Sequence, residues 1–590
     1  MNRSEIQTEY TWDLSRIYAH DEQFDQDILT TKQLIKELVE QQTTFLDTED
    51  SFYHFLIKQT KLDRLLSKLY CYCHLYRDVE PDNQIINQQF AKVMSLYEDA
   101  SQKLTFVDLK IIENKEQVQS YLTNERFKDY RKPIEETLRL STHILDQKTE
   151  DLLSLASPIL ETGSDVFEVL RPEFEPVIVN GKEEFLNQGT LSKFLKNENE
   201  EVRKQAYHNF FKEYQKYESV YAKTLASTMK KDAFYAKIRK FDNALQASLF
   251  ADNVPTTLFY KILEQANQKH IASFHRYNKL KKKLLNKETL YNYDLNVPLV
   301  SSTSKNYSLD EAFELIFEAT KPFGKKYHDL LQQARKERWI DYYPHNKKAP
   351  GAYSSGCYDT SPYVLMSFIG DFNSVSTLIH ELGHSCHTAL STKYQPAPLA
   401  SYRIFVAEVA STVNEMLLIQ HMIKHAQNEK EKAELLYNFL ENCVGLIYRQ
   451  PFFANFENIL HVRAQNNESL ASKDITDLFE QLNRDYFGED VTLDEYARYS
   501  CYYVPHFYYN YYVYKYTVGA CCALAIASRI QKGDQNQIDH YLQFLKSGCS
   551  LSPIELLKLA GVNPLEDELY DEAFNYFDTL LNEFETIMLK

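Results

Sequence analysis

Between Thr377 and Thr388 the chain reads T-L-I-H-E-L-G-H-S-C-H-T. In a helix His380 and His384 fall one turn apart on one face, so two imidazoles can reach a single ion while Glu381 lies beside them as a base. The chemistry such a pattern serves is metal-assisted hydrolysis, in which three protein ligands hold zinc and a fourth position stays open. The segment is predicted to be helical, because Val375, Leu378, Ile379, Leu382, Cys386 and Leu390 form an apolar stripe with helical spacing. Asn373 or Ser374 is expected to cap its start.

A third ligand has to come from another element. From Tyr402 to His421 a second apolar helix carries a polar line of Glu408, Ser411, Thr412 and Glu415. A carboxylate among so many apolar neighbours is costly unless it is paired or bound to metal. Glu408 and Glu415 share this line, so spacing does not choose between them. His387 is a third contender, but three ligands at i, i+4 and i+7 of one straight helix spread over about 10 Å of axis. It fits better as a residue supporting the ligands.

Two further stretches bear on substrate. Gly351 to Phe368 reads as two short extended runs around a turn at Asp359 to Pro362, just before the histidine helix. An edge strand there can pair with an extended peptide, with Gly351, Ala352 and Tyr353 as its contact residues. Tyr496 to Tyr516 holds ten tyrosines in 21 residues, around Pro505 and His506. Pro505 suits the first turn of a helix, from which His506, Tyr509 and Tyr516 are expected to project to neighbouring sides and offer hydrogen bonds to a carbonyl or oxyanion.

The elements that position these groups are expected to be mainly helical. With 14 Gly and 17 Pro in 590 residues, and recurring apolar positions at three and four residues from Trp12 to about Leu170, long helices are favoured over a turn-rich β architecture. The length calls for two or more lobes. Val177-Ile178-Val179, Asn180-Gly181 and Lys182 to Leu186 spell a type I′ hairpin, the best candidate for a boundary between an N-terminal lobe and the rest. A net charge of -17 argues against a nucleic-acid surface. The basic run Lys279 to Lys283 reads as a solvated helix face. With no leader and no apolar run long enough to span a bilayer, a cytoplasmic protein without a membrane partner is expected. Nine scattered cysteines fit a reducing compartment, and Cys71 and Cys73 read as small core hydrophobes rather than metal ligands.

Taken together, T-W-D-L-S-R-I-Y from Thr11, the Asn180-Gly181 hairpin, Y-D-L-N-V-P-L from Tyr293, K-A-P-G-A-Y-S-S-G-C from Lys348, the histidine helix, F-V-A-E-V-A-S-T-V-N-E from Phe405, R-Q-P-F-F-A-N-F-E from Arg449 and P-H-F-Y-Y-N-Y-Y-V-Y-K-Y from Pro505 resemble the thimet-oligopeptidase-like zinc metallopeptidases, specifically their oligoendopeptidase F branch. The resemblance implies a mainly α, two-lobed helical shell around a deep substrate channel, with a small β element beside the zinc helix. It divides the chain into a helical lobe (1–110), an oligopeptidase F-type N-terminal domain ending in the hairpin (111–195) and a catalytic domain (196–590).

It further implies one zinc ion per chain held by His380, His384 and Glu408, Glu381 as general base, and His506, Tyr509 and Tyr516 as oxyanion donors. The thimet oligopeptidase branch has a Gly-rich loop where this chain has those tyrosines. His387 and Glu415 are then supporting residues, and unstructured oligopeptides are the substrates. The rival readings are an exopeptidase, for which Arg403, Arg449 or Arg498 would anchor a terminal carboxylate, and a peptide-binding protein with a closed structural zinc site.

Overall fold

Helices carry most of the chain in the computed structural model, which describes residues 2–301 and 305–590. Among the described residues the strands are two or three residues long and form three small sheets. The mainly α expectation therefore holds. The chain divides into two compact units, each assembled from three separated stretches.

The first unit comprises Met1–Thr142, Ser304–Lys424 and Ala523–Asn563. Helices Asp21–Glu40, Glu49–Val79 and Gln84–Lys103 bury the apolar stripes seen in the sequence, with Phe24, Leu38, Phe52, Phe55 and Leu69 in one core. Cys71 and Cys73 lie in that core as free thiols. Tyr363 and Leu365 join it from a three-stranded sheet. There Tyr363–Leu365 lies centrally, parallel to Ile340–Asp341 and antiparallel to Tyr353–Ser355. Tyr353–Ser355 is thus an edge strand. Gly351 and Ala352 precede it in irregular chain, Gly351 at a φ of 87° that favours glycine.

The second unit comprises His143–Thr303, His425–Cys522 and Pro564–Lys590. It contains the predicted hairpin, Val177–Val179 paired with Lys182–Glu184, whose turn residues Asn180 and Gly181 take the positive φ values of 51° and 77° that a type I′ turn requires. One expectation fails here and another holds only in part, for Lys279 and Lys283 are exposed as a solvated face requires but Lys281 is not. Lys281, in helix Ile271–Leu284, is buried rather than solvated: its ammonium meets Glu441 at 2.6 Å and donates to the Leu295 carbonyl at 2.8 Å, which satisfies a charge that burial would otherwise penalise.

The tyrosine-rich stretch is likewise not one helix. Two 3₁₀ segments, Ala497–Tyr503 and Pro505–Tyr508, are followed by Asn510 and Tyr511 in left-handed backbone, and the α-helix Tyr514–Gln531 starts only after them. Two consecutive left-handed residues end any right-handed helix, which is why periodicity misjudged the segment.

Candidate metal centre

Helix Phe372–Tyr394 carries the histidines. Its cap is Asp371, not Asn373 or Ser374: the Asp371 carboxylate accepts the Ser374 N–H at 2.8 Å and the Ser374 hydroxyl at 2.6 Å. Ser374 is the residue being held rather than the one holding. The apolar stripe Val375, Leu378, Ile379, Leu382, Cys386 and Leu390 is buried as expected. Helix Ile404–Lys424 packs against it and is buried on most of its surface.

The two helices cross closely at Gly383. A Cβ there would stand 2.8 Å from the Ser411 Cα and 3.0 Å from the Ala410 carbonyl oxygen, both backbone atoms that cannot step aside. Asn414, which donates to the Tyr327 hydroxyl at 2.7 Å, fills the adjoining space. Sequence reasoning passed over Gly383. Its signal was available, since a glycine inside a strong helical pattern costs stability and usually has a packing reason.

This crossing brings three side chains together. The ligand atoms of His380, His384 and Glu408 lie within 4.8 Å of one another, the one such group of three or more His, Cys, Asp or Glu found among the described residues. Glu408 Oε2 is 3.5 Å from His380 Nε2 and 3.7 Å from His384 Nε2. Glu415 faces the other edge of the first imidazole, with Oε1 2.5 Å from His380 Nδ1 and Oε2 accepting from the Ser376 hydroxyl at 3.2 Å. Nδ1 is thus engaged by Glu415, and Nε2 is the nitrogen turned towards Glu408, as is Nε2 of His384. Two imidazoles and one carboxylate, joined by no fourth His, Cys, Asp or Glu among the described residues, fit a catalytic zinc site rather than a closed structural one.

The electrostatics of the three protein ligands and Glu381 are uneven. Burial disfavours a charged His380, but the hydrogen bond and charge of Glu415, with Glu381 and Glu408, outweigh it and push the imidazole up to about 9. Burial and the neighbouring His380 hold His384 down at about 3. Glu381 is 6% exposed. Desolvation pushes it up to about 7; His380 opposes this, Glu408 and Glu415 add to it, and the backbone N–H of Ser354 steadies its charged form. A carboxyl poised there suits a group that takes and returns a proton near neutral pH.

His387 is buried, stacked on Tyr402 at 3.8 Å between centroids and flanked by Phe544. It makes no hydrogen bond to a ligand histidine, and its Nδ1 has no partner. Tyr353 turns its side chain into the core, donating to Asp78 at 2.7 Å and stacking on His74, so only its backbone is offered at the strand edge. The same strand is tied to the histidine helix by Ser354, whose hydroxyl meets that of Ser385 at 2.8 Å. Beside it lies a cavity of about 660 Å³, lined among others by Ser355, Thr388 and Tyr402.

In the second unit His506 sits among aromatic rings, 5.8 Å from Tyr509, 5.9 Å from Tyr516 and 6.3 Å from Tyr512 between centroids. Tyr512 was not singled out from the sequence.

With this geometry in view the comparisons are direct. Residues 193–576, more than half of the chain, match the model of Peptidase family M3. The chain belongs to peptidase family M3. Residues 114–171 match a second model, Oligopeptidase F. Among curated relatives, oligopeptidase PepF of Bacillus subtilis is 36% identical across 100% of this chain and 89% of that protein. Group B oligopeptidase PepB of Streptococcus agalactiae is 32% identical across 100% of this chain and 99% of that one.

A solved protein from Chlamydophila abortus superposes with a TM-score of 0.92 at 31% identity, covering 99% of both chains. Oligoendopeptidase-F from Enterococcus faecium gives 0.72 at 28% identity, covering 96% of this chain and 99% of that one. Membership in M3 makes this chain a zinc-dependent metallo-oligopeptidase.

Proposed function

We propose that this M3 peptidase hydrolyses internal bonds of short, unstructured oligopeptides, with His380, His384 and Glu408 as zinc ligands and Glu381 as general base. The observation that carries the reading is the convergence of those three ligand atoms beside a buried carboxyl pushed up to about 7. A zinc ion held by His380, His384 and Glu408 would supply Lewis acidity, enough to bring the pKa of a water towards about 7 and to polarise a peptide carbonyl. Glu381 takes the proton from the attacking water and passes it to the leaving amine. Glu415 fixes the His380 ring through Nδ1. The edge of Tyr353–Ser355 offers backbone groups to an extended substrate, and the adjoining cavity offers side-chain room.

His506, Tyr509 and Tyr516 are assigned to the developing oxyanion; their support is chemical, a ring nitrogen and phenols gathered within about 6 Å. Removing one such donor should lower kcat roughly 10² to 10³-fold. The segmentation at residues 110 and 195 is kept as part of the same reading, supported by matches that start at residues 114 and 193.

The exopeptidase reading is weaker because Arg403 is held by Glu136 at 2.8 Å, and Arg498 by Asp477 and Glu480. Mass spectrometry of products from a mixed peptide library, with and without chelator, separates the two: internal cuts lost on chelation are expected, and trimming from one end alone would overturn the endopeptidase. Glu381→Gln should retain zinc and lose nearly all turnover; near-normal cleavage by that variant would remove Glu381 from its role.

A further inference from the structure

Glu457 closes the R-Q-P-F-F-A-N-F-E stretch that the catalytic reading leaves without a task. It lies in helix Gln450–Gln465 of the second unit and is 0% exposed. One carboxylate oxygen, Oε1, accepts the backbone N–H of Tyr511 at 2.5 Å, while Oε2 has no partner. A buried carboxyl with an unsatisfied oxygen is expensive to keep unless its one bond does something no apolar residue can.

That bond lands on the most unusual backbone in the tyrosine-rich stretch. Asn510 and Tyr511 have φ values of 43° and 57°, consecutive left-handed residues neither of which is glycine. For tyrosine this conformation is disfavoured and persists only where its surroundings impose it. The surroundings do so from several sides. The Tyr511 ring stacks on His461 at 4.4 Å and its hydroxyl donates to Asn458 at 3.1 Å. The Ser248 hydroxyl donates to the Asn510 carbonyl at 2.8 Å. His461 is itself anchored by Asp232 at 3.1 Å. Among the described residues only Glu457 holds the Tyr511 amide, the group whose direction a left-handed residue sets.

The bend separates the 3₁₀ turn carrying His506 from the helix carrying Tyr516, and the rings of these two residues stand 5.9 Å apart between centroids. We propose that Glu457 is a positioning residue: by accepting the Tyr511 N–H it fixes the Asn510–Tyr511 bend and so sets where His506, Tyr509 and Tyr516 stand. This rests on the assignment of those three side chains to the oxyanion. Glu457 touches no reacting atom, and its effect on turnover runs through His506 and its neighbours.

The test is a set of variants read by kcat, KM, zinc content and thermal midpoint. Glu457→Gln keeps an acceptor oxygen for the Tyr511 amide and should restore near-normal kcat. Glu457→Leu removes it and should lower kcat about 10²-fold, the order expected for misplacing a catalytic group by about 1 Å, with KM and zinc content little changed. In a His506→Ala background the same substitution should cost clearly less than it does alone, because one of the three side chains it positions is gone.

A Glu457→Leu loss that is undiminished in the His506→Ala background, or equal to that of Glu457→Gln, would overturn the positioning role while leaving the oxyanion assignment standing. Normal kcat in His506→Ala alone would overturn both. If Glu457→Leu fails to fold, Glu457→Asp, one methylene short of the amide, is measured the same way and must show the kcat loss.

Discussion

The proton on His380 controls how readily the metal-free centre takes zinc. With the imidazole pushed up to about 9, Nε2 is protonated at neutral pH, and zinc must displace that proton. Below about 9 the bound state therefore releases one proton, and apparent zinc affinity should climb roughly tenfold per pH unit between pH 6 and 8. His384, held near 3, contributes none. Competition with a chromophoric chelator measures this, and a flat profile would contradict it. Glu415→Gln should weaken zinc about 10 to 100-fold and flatten the profile, because the carboxylate that orients the ring and raises its basicity is gone.

The division of labour between Glu408 and Glu415 was not legible in the sequence, since both lie on one polar line of one helix. It depends on which edge of His380 each meets, and that is set by the register of two helices distant in sequence. The motif residues His380, Glu381 and His384 were legible because their relation is local, fixed by one turn of helix.

At the level of elements, the centre depends on how near helix Ile404–Lys424 comes to helix Phe372–Tyr394. Gly383→Ala places a methyl against the Ser411 and Ala410 backbone, so the helices must part. Overpacking of this kind costs about 1 to 3 kcal/mol. The expected outcome is a lower thermal midpoint together with weaker zinc, because Glu408 is drawn away from the histidines. Gly445→Ala, where the added Cβ meets nothing within 4 Å, is the control and should change neither. Helix periodicity told correctly that the apolar stripe of the histidine helix is buried, but not that Glu381, His387 and Ser411 are buried as well. It said nothing of the separation of the two helices, because a stripe of Val, Leu and Ile is compatible with many distances, and only the smallest residue at the crossing records the one adopted. The hairpin at Asn180-Gly181 was readable for the opposite reason: its geometry is written in two adjacent residues whose backbone preference is strong.

At the scale of the whole molecule, every proposed zinc ligand lies in the first unit. Chelation should therefore speed amide exchange in helices Phe372–Tyr394 and Ile404–Lys424, which lose the stabilisation that a bound ion supplies. Helix Gln450–Gln465 of the second unit should keep its protection; loss there of equal size would show that the ion supports both units. Composition was enough to foresee a mainly α protein, but not that each unit is sewn from three stretches, for contacts between remote segments leave no local pattern.

That interleaving also bears on synthesis. The helices before Thr142 belong with residues up to Asn563, so they leave the ribosome several hundred residues before their last partners. At about 5 to 20 residues per second that gap lasts tens of seconds, long enough for nascent apolar faces to need shelter from a chaperone and for premature truncation at almost any point to leave both units unfinished.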